Sequence, residues 1–182
     1  YKGKPIPSLQ GYDRGERVIY IGTFSRSIAP AIRVSYMVLP KSLMQLYRER
    51  GRKISSTVSR VDQMIIAGFL NEGYYERHLN RMRAVYKGRH DALLEEMKAF
   101  RQIGHISGEN AGVHILFTFT NGMTEMEAVQ TAAREGVAVY GLSRYYVGSG
   151  KQAESSTILL GYANLSEEEI RNAARLLARA WL

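Results

Sequence analysis

The sequence contains no cysteine among its 182 residues, which excludes disulfide bridges and thiolate metal sites. Long apolar runs are absent too, because none approaches the roughly 18 consecutive residues that a membrane-spanning helix needs. The first residues, "YKGKPIPSLQGYDRGE", lack the apolar core of a secretory signal. We therefore expect a soluble protein that is not exported, has no membrane partner and resides in the cytoplasm.

The common nucleotide and metal motifs are also missing. The glycines are scattered, and neither a phosphate-binding P-loop nor a dinucleotide fingerprint is present. The histidines show no zinc-ligand spacing; they are His78, His90, His105 and His114. His114 lies in the strand-like run "VHILFTF", and we interpret it as an ordinary strand residue. No metal site is predicted.

The chain does have enough apolar side chains for a core. Hydrophobic residues make up 45% of the sequence, which suffices for one domain or two small ones. The net charge of +8 would suit an anionic partner such as nucleic acid. The cations at 48–53 and 77–90 alternate with apolar residues at helical spacing, however, which favours solvated helix faces. Direct DNA binding by this chain stays open as a weaker alternative, and it requires an affinity that falls steeply with salt.

Two short β-favouring runs follow an irregular first segment. They are "RVIYIGTF" at 17–24 and "RVSYMVL" at 33–39. The segment between them is too short for a crossover helix, so we expect neighbouring strands of one sheet. From Lys41 to Phe100 the apolar spacing is helical, and Gly73 is predicted to end one helix ahead of a longer one.

After Gly104 the pattern becomes that of a compact α+β unit. Strands are predicted at "VHILFTF", "VAVYGL" and "TILLGYA". Two helix starts have capping-box spacing, Thr124 with Glu127 and Ser166 with Glu169. Trp181 falls on the apolar face of the last helix, so we predict a core residue. The chain is thus predicted to divide into residues 1–100 and residues 101–182.

The stretch "GTFSRS" at 22–27 carries the first candidate site. Thr23, Ser25 and Ser27 place hydroxyl groups where an apolar strand ends, and Arg33 adds a fork of charged donors from the next predicted strand. A dianionic phosphate is bound well by charge-assisted donors from several directions. The same hydroxyls can instead satisfy the backbone of a turn. On the residues alone, the two interpretations are equally supported.

The segment "YIGTFSRSIAPAIRVSYMVLP" resembles the cofactor-lysine segment of the aminotransferase-like module in the MocR subfamily of GntR-type bacterial transcription regulators. The resemblance continues through "VDQMIIAGFLNEGYYERHLNRMRAVYKGRHDALL", "SGENAGVHILF" and "LLGYANLSEEEI", so it covers almost the whole chain. The chain is most similar to subfamily members that sense γ-aminobutyrate together with pyridoxal 5'-phosphate (PLP). The implied fold is α/β, the C-terminal part of a fold-type I PLP-dependent aminotransferase-like fold. It comprises the end of the large-domain sheet, a long linking helix and an α+β small domain.

The resemblance implies a role for individual residues. Thr23 and Ser25 match hydroxyl positions that hold the cofactor phosphate, and Arg33 matches the arginine that pairs with it. Arg144 in "GLSRYYVG" matches the position that grips the effector carboxylate. A planar guanidinium suits bidentate capture of a carboxylate. The alternative for Arg144 is an ordinary surface arginine.

Arg26 departs from the family pattern. It stands where the family has the lysine that forms a Schiff base with PLP, and a guanidinium stays protonated and cannot form that bond. The resemblance therefore implies no catalytic residue in this chain and no covalent attachment of PLP. Arg26 is instead expected to bind PLP without a covalent bond, with a contact to its phosphate.

The sequence therefore predicts an effector-sensing and dimerisation module of a PLP-dependent transcription regulator. The implied partners are a small amino acid such as γ-aminobutyrate, a second copy of the chain, and DNA bound through a domain that is not in this chain. Because the family module is longer than 182 residues, we expect a fragment of a longer protein. The alternative is a fragment of an aminotransferase enzyme, which requires a lysine at position 26.

Overall fold

After a short first helix, a pair of strands, then three consecutive helices, then a mixed region of strands and helices follow one another along the chain. The structure, a computed structural model, describes residues 7–51, 53–110, 112–146 and 155–182. The chain folds into two compact units. The first unit runs to Met82, and the second unit runs from Arg83 to Leu182. Within the described residues, no helix combines the length and the apolar character that a membrane crossing requires.

The first unit is built around one pair of strands. Its elements are α1 (Leu9–Tyr12), β1 (Tyr20–Thr23), β2 (Ser35–Val38), α2 (Lys41–Gly51) and α3 (Arg60–Asn71). β1 and β2 pair antiparallel, with Tyr20 opposite Val38 and Thr23 opposite Ser35. The prediction that these two runs are neighbouring strands is confirmed.

The second predicted strand begins later than expected. Arg33 does not lie in β2 but follows a 3-10 helix (Pro30–Ile32), and its φ of 51° is left-handed. A left-handed residue cannot continue an extended strand, so β2 starts only at Ser35. Proline and the small side chains before it favour the tight helical turn over a strand.

The helices between Lys41 and Phe100 end where turn residues predict. Ser59 caps α3 by accepting a hydrogen bond from the Asp62 amide at 3.0 Å. Gly73, at a φ of 72°, then follows the end of α3, as predicted. The long helix α4 (Tyr74–Glu96) comes next and is continued by a 3-10 turn, Met97–Phe100.

The second unit contains an antiparallel sheet covered by helices. Its further elements are β3 (Gly104–Ser107), β4 (His114–Phe119), α5 (Glu125–Arg134), β5 (Tyr140–Gly141), β6 (Thr157–Gly161) and α6 (Glu167–Trp181). The strand order is β3-β4-β6-β5. The predicted strand in "VAVYGL" is reduced to two residues, because the chain turns into a 3-10 helix at Leu142.

Both predicted capping boxes are present. The Thr124 and Ser166 hydroxyls accept from the amides of Glu127 and Glu169 at 3.3 and 3.2 Å. The two glutamates accept in return from the cap amides, which lowers the pKa of each carboxyl. These reciprocal bonds stop the helices from unwinding at their first turn.

The core of the second unit is aromatic. Trp181 is 4% exposed, as predicted, and its indole N–H donates to the Ala128 carbonyl at 3.1 Å. Its ring contacts Phe100 and Phe119 edge to face, at centroid distances of 5.8 and 5.2 Å. Phe117 is stacked against the same indole. The last helix is therefore anchored to the sheet through its final turn.

His90 is buried in the same unit, on α4. Its Nε2 lies 2.8 Å from the Glu109 carbonyl oxygen, and its ring meets Tyr162 edge to face. Tyr162 in turn donates its hydroxyl to the Gly112 carbonyl at 2.9 Å. These contacts hold the turn that precedes β4, and with it the strand that carries His114, which is exposed.

Candidate functional site

Four residues predicted to bind the cofactor line one cavity at the end of β1. The cavity has a volume of about 400 Å³, and it is lined by Thr23, Ser25, Arg26, Pro30, Arg33 and Ser35. Thr23 comes from the last position of β1 and Ser35 from the first position of β2, which face each other in the sheet register. Residues twelve positions apart in the chain are thus brought together by strand pairing.

The turn after β1 explains part of the hydroxyl pattern. The Thr23 hydroxyl donates to the Val34 carbonyl at 3.2 Å and accepts from the Ser25 amide at 3.2 Å. The Ser27 hydroxyl donates to the Thr23 carbonyl at 3.4 Å. Thr23 and Ser27 therefore satisfy the backbone of the turn, as the alternative interpretation predicted. Ser25 is half-buried and lines the same cavity. Its hydroxyl, unlike those of Thr23 and Ser27, takes no part in these turn hydrogen bonds.

Arg26 and Arg33 make the cavity cationic. Both side chains are exposed, and in the described part of the chain neither guanidinium has an acidic partner. Two unpaired guanidinium groups attract an anion and can bind it bidentately. The left-handed backbone of Arg33 costs about 1 kcal/mol or more. A strained residue at a cavity rim is typical of a functional position.

A second cavity lies behind the same turn. It has a volume of about 340 Å³ and shares Ser35 with the first cavity. Its walls are largely apolar, with Phe24 and Tyr36 on one side and Ile66 and Leu70 of α3 on another. Burial, together with the neighbouring Tyr20, raises the pKa of Tyr36. The sequence patterns did not predict this cavity, because strand and helix residues form it jointly.

Arg144 lies in the second unit, on a 3-10 helix (Leu142–Tyr145). Its side chain is exposed, and the guanidinium carbon lies 5.7 Å from the centre of the Tyr140 ring. This cation–π contact does not neutralise the charge of the guanidinium. Arg26 and Arg33 line a cavity of the first unit, whereas Arg144 belongs to the second unit.

An acidic residue that the sequence patterns did not single out contacts the neighbour of Arg144. Glu125 accepts a hydrogen bond from the Ser143 amide at 3.0 Å and another from the Ser143 hydroxyl. Burial alone would raise the pKa of Glu125, but the hydrogen bonds from Ser143, Ser155 and Leu142 outweigh it and lower the pKa. Glu125 is the first residue of α5, where the helix dipole favours an acidic side chain, so its position in the sequence does not indicate a contact with a distant turn.

Nearly the whole chain matches one known protein family. The profile described as aminotransferase class I and II matches residues 2–177. The chain belongs to the aminotransferase class I and II family. The prediction of this family, made from the segment around Arg26, is confirmed.

The similar curated proteins include several transcription regulators, and also the aromatic-amino-acid aminotransferase 1 of Thermococcus litoralis at 24% identity over 98% of the chain. The chain is 41% identical over its whole length to the uncharacterised HTH-type transcriptional regulator YhdI of Bacillus subtilis. It is 30% identical, again over its whole length, to the probable rhizopine catabolism regulatory protein MocR of Rhizobium meliloti. The chain spans only 38% and 36% of these two proteins. It corresponds to a C-terminal portion of MocR-type regulators.

The solved structures that resemble the chain are aminotransferases. The multiple substrate aminotransferase of Thermococcus profundus matches with a TM-score of 0.82 at 26% identity, over 98% of this chain and 44% of that chain. LysN, the α-aminoadipate aminotransferase of Thermus thermophilus, matches with a TM-score of 0.78 at 26% identity, over 98% and 46%. That structure contains N-(5'-phosphopyridoxyl)-L-leucine. The predicted fold-type I PLP aminotransferase fold is confirmed.

The residues of the first cavity fit one end of PLP. The Ser25 hydroxyl and the guanidinium groups of Arg26 and Arg33 are donors suited to its phosphate. None of the described residues that line the cavity carries a side-chain amine. The aminotransferase-family fold thus supports PLP use, and the arrangement favours binding through charge and hydrogen bonds.

We expect Arg33→Ala to weaken PLP binding by the full-length protein about tenfold or more, because a charge-assisted bidentate contact to phosphate is lost. Equilibrium titration with PLP, followed by tryptophan fluorescence or calorimetry, measures the change. Arg14→Ala, at an exposed arginine outside the cavity lining, is the matched control. Equal affinities of the Arg33→Ala variant and the parent would remove Arg33 from the phosphate site.

Proposed function

We propose that this chain is the effector-sensing and dimerisation part of a PLP-dependent bacterial transcription regulator. The observation that carries the proposal is the similarity along the whole chain to the HTH-type regulator YhdI and to the regulatory protein MocR, at 41% and 30% identity. DNA would be bound by a domain outside this chain. In this proposal residues 1–100 form the end of the large domain and residues 101–182 form the small domain. We expect the cytoplasm as the compartment.

Arg26 supports sensing over catalysis. PLP, when bound, supplies an electrophilic aldehyde that reacts with primary amines. A guanidinium at position 26 can bind the phosphate through its charge, but it cannot react with that aldehyde. In this proposal the aldehyde therefore reacts with the amine of a small effector, while Ser25, Arg26 and Arg33 bind the phosphate end. An amino acid such as γ-aminobutyrate has the required amine.

Arg144 supplies the second half of effector recognition. Its exposed guanidinium has no ion pair among the described residues and is suited to a carboxylate. An effector with an amine at one end and a carboxylate at the other would use both groups. Binding would favour one conformation of the regulator, and that population shift would reach the DNA-binding domains.

Dimerisation is supported by an apolar stripe on α3. Val61, Met64 and Ile65 are 65%, 74% and 64% exposed. Large apolar side chains in one exposed stripe are typical of an interface. A homodimer would bury this stripe, and it would link the effector state of one chain to that of its partner.

Calorimetry tests the proposed function. We expect titration of the full-length protein with γ-aminobutyrate to release heat only when PLP is present. Arg144→Ala should remove most of this heat, because a charge-assisted contact between a carboxylate and arginine is worth about tenfold or more in affinity. Arg134→Ala, at another exposed arginine of the second unit, is the control. Absence of heat in the parent protein with both ligands would contradict the sensing function.

The alternative is a fragment of an aminotransferase enzyme, which the enzyme structures of the same fold favour. It requires a covalent partner for PLP that Arg26 does not provide. An assay for amino-group transfer from an amino acid to a 2-oxo acid separates the two functions. We expect no turnover by the protein with Arg26, and sustained turnover would establish the enzyme instead.

A further inference from the structure

We propose that Glu125 is a positioning residue for effector recognition, because it holds the turn that presents Arg144. The inference rests on the proposed function, since it assigns Glu125 a role in the carboxylate site of the same effector. Glu125 touches neither effector nor cofactor in this proposal. It acts through the 3-10 helix Leu142–Tyr145, in which Arg144 is the third residue.

The contacts of Glu125 converge on the residue next to Arg144. One carboxylate oxygen accepts the Ser143 amide at 3.0 Å, and the other accepts the Ser143 hydroxyl. Together they hold Ser143 by both its backbone and its side chain. Because Ser143 is held through both its amide and its hydroxyl, its backbone is restrained. The backbone of the next residue, Arg144, is restrained with it.

Glu125 also reaches the strand side of the same turn. Its amide donates to the Ser155 carbonyl at 2.8 Å, and hydrogen bonds from Ser155 and Leu142 help to lower the pKa of its carboxyl. A lowered pKa keeps the carboxylate charged at neutral pH. One ionised side chain on α5 thus joins Leu142, Ser143 and Ser155.

Gly141 shows how closely the carboxylate is packed against the turn. A Cβ at this position would overlap the side chain of Glu125. Only a glycine therefore allows the carboxylate to lie directly under the start of the 3-10 helix. The close approach is specific to this residue pair, and an ordinary capping glutamate does not need it.

The guanidinium of Arg144 keeps its charge for a ligand. The carboxylate oxygens of Glu125 accept hydrogen bonds from uncharged donors, and within the described residues Glu125 forms no ion pair with Arg144. The guanidinium carbon of Arg144 lies 5.7 Å from the centre of the Tyr140 ring. An arginine whose backbone is immobilised loses less entropy on binding a carboxylate, which raises affinity.

The test measures two affinities in the full-length protein: that for PLP alone, and that for γ-aminobutyrate at saturating PLP. We expect Glu125→Gln to weaken γ-aminobutyrate binding about tenfold, because the amide cannot accept all of the same hydrogen bonds, and to leave PLP affinity unchanged within about twofold. Ser143→Ala keeps the backbone contact and should show a smaller loss. Glu168→Gln, at an exposed glutamate on α6, should show none.

The outcomes separate this inference from the proposed function. If Arg144→Ala weakens γ-aminobutyrate binding but Glu125→Gln does not, the positioning role is overturned and the sensing function stands. If Glu125→Gln lowers both affinities equally, the residue is a general stabiliser and the inference is wrong. If Arg144→Ala itself has no effect, both the carboxylate site and its positioning residue are lost.

Discussion

Replacing Arg26 with lysine should give the full-length protein covalently bound PLP, seen as a visible absorbance band that the parent protein lacks. The expected effect is all or none, because an arginine side chain offers no primary amine and lysine offers one. Trapping with borohydride and measuring the protein mass would show the cofactor on position 26.

The environment of position 26 favours this reaction. Arg33 lines the same cavity, and a nearby positive charge disfavours the protonated form of a lysine. A lysine at position 26 should therefore have a lowered pKa and a larger fraction of reactive free amine at neutral pH. Ser25 and Arg33 stay in place to hold the phosphate.

The matched control is Arg33→Lys, which introduces the same amine elsewhere in the cavity. We expect no covalent product from it, since position 33 should face the phosphate. A second variant, Arg26→Gln, should weaken PLP binding without adding a band. If Arg26→Lys shows no band while PLP still binds, the assignment of position 26 to the lysine of the family fails.

Local sequence signals predicted several elements correctly. The capping boxes at Thr124 and Ser166 and the end of α3 before Gly73 depend on residues within one turn of each other, so the printed order of residues contains the necessary information. The pairing of β1 and β2 was predictable because the segment between them is too short for a crossover helix. The family followed from the segment around Arg26.

Features that depend on distant residues were not predictable in the same way. Glu125 and Ser143 lie 18 positions apart, and only the packing of α5 against the turn brings them together. The strand β3, Gly104–Ser107, is four residues long and has little apolar periodicity of its own. It forms because β4 offers a hydrogen-bonding edge.

The candidate site contains both features that the sequence predicts and features that depend on the folded structure. The gathering of Ser25, Arg26 and Arg33 around one cavity agrees with the resemblance-based prediction, although their role in binding stays a prediction. The hydroxyl of Thr23 is engaged with Val34 and Ser25, which no residue pattern could separate from a phosphate contact. The left-handed backbone of Arg33 depends on the preceding 3-10 helix.

Trp181→Ala should destabilise the chain by about 3–5 kcal/mol, the usual cost of removing a large aromatic side chain from a packed core. The indole is 4% exposed and contacts three phenylalanine rings, which would line the resulting cavity. Denaturation by urea, followed by far-ultraviolet circular dichroism, measures the change in the free energy of unfolding.

Two further variants identify the cause of the loss. Trp181→Phe keeps most of the buried area but removes the hydrogen bond to the Ala128 carbonyl, so we expect a loss of about 1–2 kcal/mol. Leu182→Ala, at the neighbouring residue that is 66% exposed, should stay within about 0.5 kcal/mol of the parent. If Trp181→Ala cost no more than Leu182→Ala, the last turn of α6 would not be anchored in the core. Because the aromatic cluster joins α6 to β4, an intermediate value for Trp181→Phe would separate packing from hydrogen bonding as the source of that anchor.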